Sequence, residues 1–222
     1  MHPLHPPIRR AGPEDVPQVA KLIATAFHPL DAARWLVPDE ASRDKVMAGH
    51  FRILGEHALE HGLIDIIPDE AIGDRSEVRL HGGAAPAAVA VWFDRTMPLP
   101  EPEDYERRLD WATGKYAHRF RALDKLLAEH HPTEPHYHLA LLAVRPRYQG
   151  RGLGSELLRH HHERLDHTAV YLEASSSRSQ RLYERRGYQG QGRPFALPDG
   201  SLFYPMWRPA TAQENDWLLP LL

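Results

Sequence analysis

The sequence contains no cysteine. Disulfides, thiolate metal sites and a cysteine nucleophile are therefore excluded. No apolar stretch approaches the length of a membrane span, so no membrane partner is expected. The first ten residues carry Pro3, Pro6 and Pro7 beside Arg9 and Arg10, and lack the apolar run of a secretory leader. A cytoplasmic location is the expectation. A basic surplus is missing too: the net charge is −3, without the positive footprint that nucleic-acid binding leaves. There is no internal repeat and no low-complexity tail.

What is present suits a globular chain. With 222 residues and 42% hydrophobic content, the sequence can build one domain spanning residues 1–222. Twenty prolines and sixteen histidines are unusual. The prolines punctuate boundaries, with clusters at Pro98, Pro100 and Pro102 and at Pro132 and Pro135. The run His160, His161, His162 invites a metal reading. Adjacent helical residues point in different directions, however, so a solvated polar face is expected and no metal.

The most informative stretch runs from Val144 to Ser155. It places Gln149, Gly152 and Gly154 in the pattern Q-x-x-G-x-G. The apolar run Leu139–Val144 before it predicts a strand, and the pattern over Glu156–Leu165 predicts a helix. Glycines let the backbone close tightly around an anion, and the helix start offers unpaired N–H groups and a positive dipole end. A pyrophosphate is the natural ligand. The dinucleotide fingerprint would need a third glycine where Ser155 stands. The phosphate-loop form would need G-K-[ST], which does not occur.

Other elements follow from periodicity. Residues 6–10 read as a short strand. Pro13, Glu14 and Asp15 open a helix whose apolar face is Val16, Val19, Ala20, Ile23, Ala24 and Phe27. Asp39 starts a second helix reaching about His61, with Val46, His50, Phe51, Leu54 and Ala58 inward. Strands are expected at Leu63–Ile67, Val78–His81 and Pro86–Phe93, with Gly82 and Gly83 joining the last two. From Glu101 to His130 the pattern is helical, a long insertion of the kind that forms binding walls. A strand at Ala169–Glu173, a short helix and a last strand at Phe203–Trp207 complete the chain. The order predicts an α/β fold, a mixed sheet with helices on both faces.

The glycine turn resembles motif A of the Gcn5-related N-acetyltransferases. The segment Leu182–Tyr188, L-Y-E-R-R-G-Y, is similar to that family's FYxxxGF-like segment at the right separation. Ile8–Asp15 looks like its first strand and helix start, and Ala87–Trp92 is similar to its puromycin N-acetyltransferase branch. The resemblance implies a mostly antiparallel sheet of six to seven strands, splayed between the fourth and fifth, with acetyl-coenzyme A in the gap as acyl donor. The turn residues Gln149, Gly150, Arg151, Gly152, Leu153, Gly154 and Ser155 would hold its pyrophosphate. Leu142, Ala143 and Val144 would pair with the pantetheine arm. The resemblance makes the N–H of Leu142 the oxyanion donor, His138 the base and Tyr183 the general acid. Ser179 stands where the family often has a coenzyme-touching asparagine. Arg145, Arg147 and Arg151 could meet phosphates or be solvated; His136 and Tyr137 are weaker candidates for the base.

The implied reaction is direct transfer of an acetyl group to a primary amine of a small molecule, an antibiotic or other metabolite. Asp31, Trp35 and Trp92 are the acceptor candidates: Asp31, with Asp39 and Glu40, could attract a cationic amine and Trp35 stack on it, and Trp92 could wall the site. Asp94, Tyr105 and Trp111 are further wall candidates. Acetylation of a protein lysine or N-terminus, and a non-catalytic acyl-coenzyme A sensor, are the alternative readings. The chain is expected to act as a monomer or homodimer.

Overall fold

The computed structural model describes residues 6–72, 85–165 and 167–211. The expected strand at Val78–His81 and its glycine connection lie outside these residues. The chain begins with β1 (Arg9–Arg10), a 3-10 turn at Pro13–Asp15, α1 (Val16–Phe27), α2 (Asp31–Leu36) and α3 (Glu40–His61). Next come β2 (Gly62–Pro68) and β3 (Pro86–Asp94), then α4 (Tyr105–Thr113) and α5 (Ala117–His130). The second half holds β4 (Tyr137–Val144), α6 (Leu153–His162), β5 (Val170–Ala174) and α7 (Ser177–Glu184). It closes with β6 (Gln189–Gly190), β7 (Phe195–Ala196) and β8 (Leu202–Arg208).

The strands form one open sheet in the order β1-β2-β3-β4-β5-β8-β6, with β7 added along β8. Among the described residues it has eight strands, two of which, β6 and β7, are two-residue pieces too short to leave a sequence period. Every pairing is antiparallel except β4 with β5. That exception decides the architecture. The two strands pair only at Tyr137 with Val170 and at His138 with Tyr171. Beyond His138 they part, and the edge of β4 from Leu139 onward has no β5 partner. A register shift opposite Val91 and Trp92 leaves Ala140 as an extra residue in β4. Such a bulge bends its strand and increases the local twist.

Helices cover both faces, which explains why β3 reads as a continuous apolar run. Val89, Val91 and Phe93 join the core beneath α1 and α3, while Ala88, Ala90 and Trp92 join the core beneath α6. The chain's start is tied down by Asp15, which accepts two hydrogen bonds from the Arg9 guanidinium at 2.7 and 2.8 Å and a third from the Gly12 N–H. The helical insertion is broken in two at Gly114, whose φ of +53° lies in the left-handed region that favours glycine. Among the described residues no helix is long and apolar enough to cross a membrane.

The histidine run is not a solvated face. His161 is buried and lies flat on Trp92, ring centroids 3.5 Å apart, and His162 bonds the Tyr188 hydroxyl at 2.9 Å. Only a helix seated against the sheet by its C-terminal turn turns these side chains inward. His50, in α3, is enclosed beside Phe51 and Phe120. Burial pushes His50 down to about 4 and His161 down to about 3.

These two groups contribute to a pH dependence of stability, as do His136 and His162, which burial also lowers to about 4. Unfolded, each titrates at its ordinary value; folded, each stays neutral well below it, so the unfolded state binds more protons between the two values. Stability is therefore full above about pH 6.5 and falls as the pH drops toward 4, each histidine contributing a slope of about 1.4 kcal/mol per pH unit. Urea melts between pH 4 and 7 should show that slope, and His50→Gln should remove about one proton from it. The same slope in His50→Gln as in the wild type would contradict the burial of that imidazole.

Candidate functional site

The divergence of β4 and β5 opens a cleft of about 1110 Å³ that runs from the glycine turn to the wall formed by α5. At one end, Gln149, Gly150, Gly152, Leu153, Gly154 and Ser155 line it. Two backbone angles make this turn: Gly150 at φ +79° and Gly152, the residue before α6, at φ +88°. A Cβ at Gly152 would meet nothing within 4 Å, so the constraint is the dihedral and not space. The Gln149 side-chain amide donates to the Val144 carbonyl at 3.1 Å, tying the turn back to β4. The first amides of α6 stand at the cleft, where a helix start favours negative charge.

The arginines of the turn face elsewhere. Arg145 donates to the Pro86 carbonyl and Arg147 pairs with Asp69 at 2.7 Å. Arg147 and Arg151 both lie over the Tyr148 ring. None of the three lines the cleft; Arg178 and Arg185, on and just beyond α7, do. Sequence reading missed this pair because nothing local marks an exposed arginine as facing a cleft. Ser179 lines the cleft, but its hydroxyl donates to the Ser176 carbonyl and its N–H is capped by the Ser176 hydroxyl.

Where the strands part, the structure brings His138 to Glu173. The imidazole Nε2 stands 3.0 Å from Glu173 Oε2, and the Glu173 side chain is only 7% exposed. Burial would raise this carboxyl, but His138 and His131 beside it outweigh that and hold it down at about 2. As a carboxylate, Glu173 can only accept, so His138 donates from Nε2 and presents Nδ1 as a bare lone pair. That Nδ1 is itself buried and has no hydrogen-bond partner. His136 is turned away into the next layer, bonding the Glu134 carbonyl at 2.6 Å and the His131 ring at 3.1 Å. Burial lowers it to about 4. Glu173 carried no mark in the sequence: it ends a strand, 35 residues from its partner.

Leu142, Ala143 and Val144 line the cleft along the unpaired edge of β4. Tyr183, on α7, lines it from the facing side and packs against Tyr188. Burial raises the Tyr183 phenol, keeping it protonated at neutral pH.

The acceptor candidates fare differently. Trp92 is fully buried on the opposite face of β3 beneath α6, because alternate strand residues point to opposite sides. Asp31 is exposed and pairs with Arg34. Trp35 packs toward Phe195 and Leu127 with Arg119 over its ring, outside the cleft lining. Trp111 is 88% exposed. The wall consists instead of Phe27, Leu30, Phe51, Leu99 and Leu123, with Tyr105 and Asp124 as its polar pair. The Tyr105 hydroxyl donates to Asp124 at 2.7 Å, and burial raises that carboxyl to about 6.

Comparison with known proteins places this geometry. A model described as "Acetyltransferase (GNAT) domain" matches residues 121–190. The structure of histone acetyltransferase HPA2 and related acetyltransferase from Corynebacterium glutamicum is 30% identical, with TM-score 0.62, covering 94% of this chain and 98% of that one. An N-acetyltransferase from Staphylococcus aureus shares the fold at 16% identity and TM-score 0.54, covering 90% and 99% of the two chains. The ribosomal-protein-S18-alanine N-acetyltransferase from Escherichia coli does so at 18% identity and TM-score 0.51, covering 94% and 97%.

The turn's geometry yields a direct check. Gly152→Ala forces a Cβ into the left-handed region and should lower stability by about 1–2 kcal/mol. Gly154→Ala, where the added carbon meets neighbours at 3.6 Å or more, should cost little. Denaturant midpoints of the two variants measure this; equal midpoints would contradict the turn described.

Proposed function

Since the chain belongs to the Gcn5-related N-acetyltransferase superfamily and is an acetyl-coenzyme A-dependent N-acetyltransferase, we propose that it acetylates a primary amine of a small, largely apolar molecule. His138 is the base, Tyr183 the general acid, and a single domain carries the whole reaction. The observation that carries this reading is the 3.0 Å contact between His138 and Glu173 at the fork of β4 and β5. It fixes the tautomer of an imidazole in the same cleft as the glycine turn and Tyr183.

The residues present suit acetyl-coenzyme A. The amides from Gly150 to Ser155 offer main-chain donors for its pyrophosphate, with Arg178 and Arg185 at the same cleft as cationic partners. The open edge at Leu142 to Val144 offers main-chain groups to its amides. Bound there, it supplies a thioester carbonyl and a thiolate leaving group. Nδ1 of His138 takes the proton released as the acceptor nitrogen bonds to the carbonyl carbon. Glu173 stabilises the imidazolium that forms and does not itself take the proton. The N–H of Leu142 supports the oxyanion, an interaction of about 2.7–4 kcal/mol in comparable sites. The hydroxyl of Tyr183 donates to the departing sulfur as the C–S bond breaks, and solvent reprotonates the phenolate. The electrons and protons balance with no covalent enzyme intermediate.

The insertion helices support a small acceptor. Leu99, Tyr105, Leu123 and Leu127 wall the cleft opposite β4, and α5 is anchored from behind by Phe195 and Phe203. A carboxylate, Asp124, stands among these apolar side chains, with Glu101 at the same wall, and is suited to draw in an alkyl or arylalkyl ammonium, which gives one proton to solvent before the free amine attacks.

Kinetics with a panel of primary alkylamines and arylalkylamines, read by free-thiol release, test the assignment. His138→Gln and Glu173→Gln should each lower kcat by about 10²-fold or more, and Tyr183→Phe by a similar factor, with the KM for acetyl-coenzyme A unchanged. Asp124→Asn should raise the amine KM about tenfold and leave kcat intact. Full kcat in Glu173→Gln would remove the dyad, and Asp124→Asn with unchanged amine KM would remove the anchor.

A further inference from the structure

Behind the His138–Glu173 pair lies a chain of hydrogen bonds whose protons do not match. His136 Nδ1 faces the Glu134 carbonyl at 2.6 Å, and a carbonyl can only accept, so Nδ1 carries the proton. His136 Nε2 is then a bare lone pair. It stands 3.1 Å from His131 Nε2, which must donate. His131 Nδ1 is left as a lone pair, and it faces Glu173 Oε1 at 3.8 Å. Oε1 is buried without a hydrogen-bond partner, because its twin oxygen takes the proton of His138. Two electron-rich atoms therefore confront each other across a gap, and positive charge between them, an added proton on His131 or a bound metal ion, resolves that.

We propose that this gap is a binding site for a divalent transition-metal ion of the zinc class, held by His131 Nδ1, the Glu173 carboxylate and His138 Nε2. The three donor atoms lie within 4.8 Å of one another. His138 Nε2 lies 3.0 Å from one carboxylate oxygen, Oε2, and His131 Nδ1 lies 3.8 Å from the other, Oε1, so the carboxylate faces both imidazoles with one oxygen each; ligand–ligand edges of about 3.4 Å, as tetrahedral zinc with N and O ligands requires, need the three groups to draw together around the ion. Two imidazoles and one carboxylate select zinc-like ions over calcium or magnesium. The fourth position opens to the cleft, which both His131 and His138 line. His136 is the outer partner that metal-bound histidines usually have, its tautomer set by the Glu134 carbonyl.

The ion would also act on the reaction. Coordination at Nε2 displaces the His138 proton toward Nδ1 and so removes the lone pair that accepts the amine's proton. Occupancy makes the enzyme inactive. This consequence rests on His138 being the base; the site itself does not.

Titration of the purified full chain with Co²⁺ alone tests the site. The expected result is one equivalent bound, with the visible absorption of four-coordinate cobalt, displaced by Zn²⁺. His131→Gln should abolish the band, His136→Gln should weaken binding about 10–100-fold, and His160→Gln, on the surface of α6, should leave it intact. Circular dichroism of each variant establishes that it is folded. Zn²⁺ should inhibit the wild type with the same concentration dependence. Binding with inhibition supports the site and the base. Binding without inhibition supports the site and removes His138 from the chemistry. No cobalt band, or an equal band in His131→Gln, overturns the site; a proton on His131 then bridges the gap.

Discussion

Two residue pairs hold the sheet's halves together at its centre, Tyr137 with Val170 and His138 with Tyr171, and the rest depends on their being so few. A parallel ladder that continued would satisfy the main chain of β4 and leave nothing for a ligand. Because it stops, backbone groups from Leu139 to Val144 meet a cleft instead of a neighbour. The bulge at Ala140 bends β4 beside the fork. The helices on both faces give each face of the sheet its own packed core.

The same fork explains why a buried carboxylate is tolerable. Removing Glu173 from water costs several kcal/mol, and such a cost is met only by close partners. Parallel register delivers them: His138 stands in the last pair, Glu173 two residues beyond its partner Tyr171 is still within reach, and the segment after α5 brings His131 to the other oxygen. Charge, tautomer and position are thus set by one structural event. The chemistry proposed for His138 and the cation site proposed behind it are two consequences of that arrangement.

Much of this was legible in the sequence, for reasons that are local. The glycine turn showed itself through φ-permissive residues between an apolar strand and a helix, and Leu182–Tyr188 through its own spacing. Both segments, with His138 on β4, do stand around the cleft. What stayed hidden was long-range. Glu173 is an ordinary strand residue until the register of β4 and β5 is known. Trp92 looked like a stacking surface, yet strand alternation and the second core bury it against His161. Asp31 and Trp35 lie near the cleft in sequence terms, but Asp31 is exposed and Trp35 packs toward Phe195 and Leu127, so neither lines it. The wall came from α5, whose apolar period predicted burial without saying against what. The break at Gly114 depends on a dihedral that composition alone does not reveal.

Hydrogen–deuterium exchange of the full chain, with and without acetyl-coenzyme A, tests the central claim most directly. If the open edge of β4 and the glycine turn grip the acyl donor, amides from Leu139 to Ser155 should gain protection while those of β1 and β2 do not change. Equal exchange across Leu139–Ser155 in the two states, or protection confined to other segments, would contradict the account.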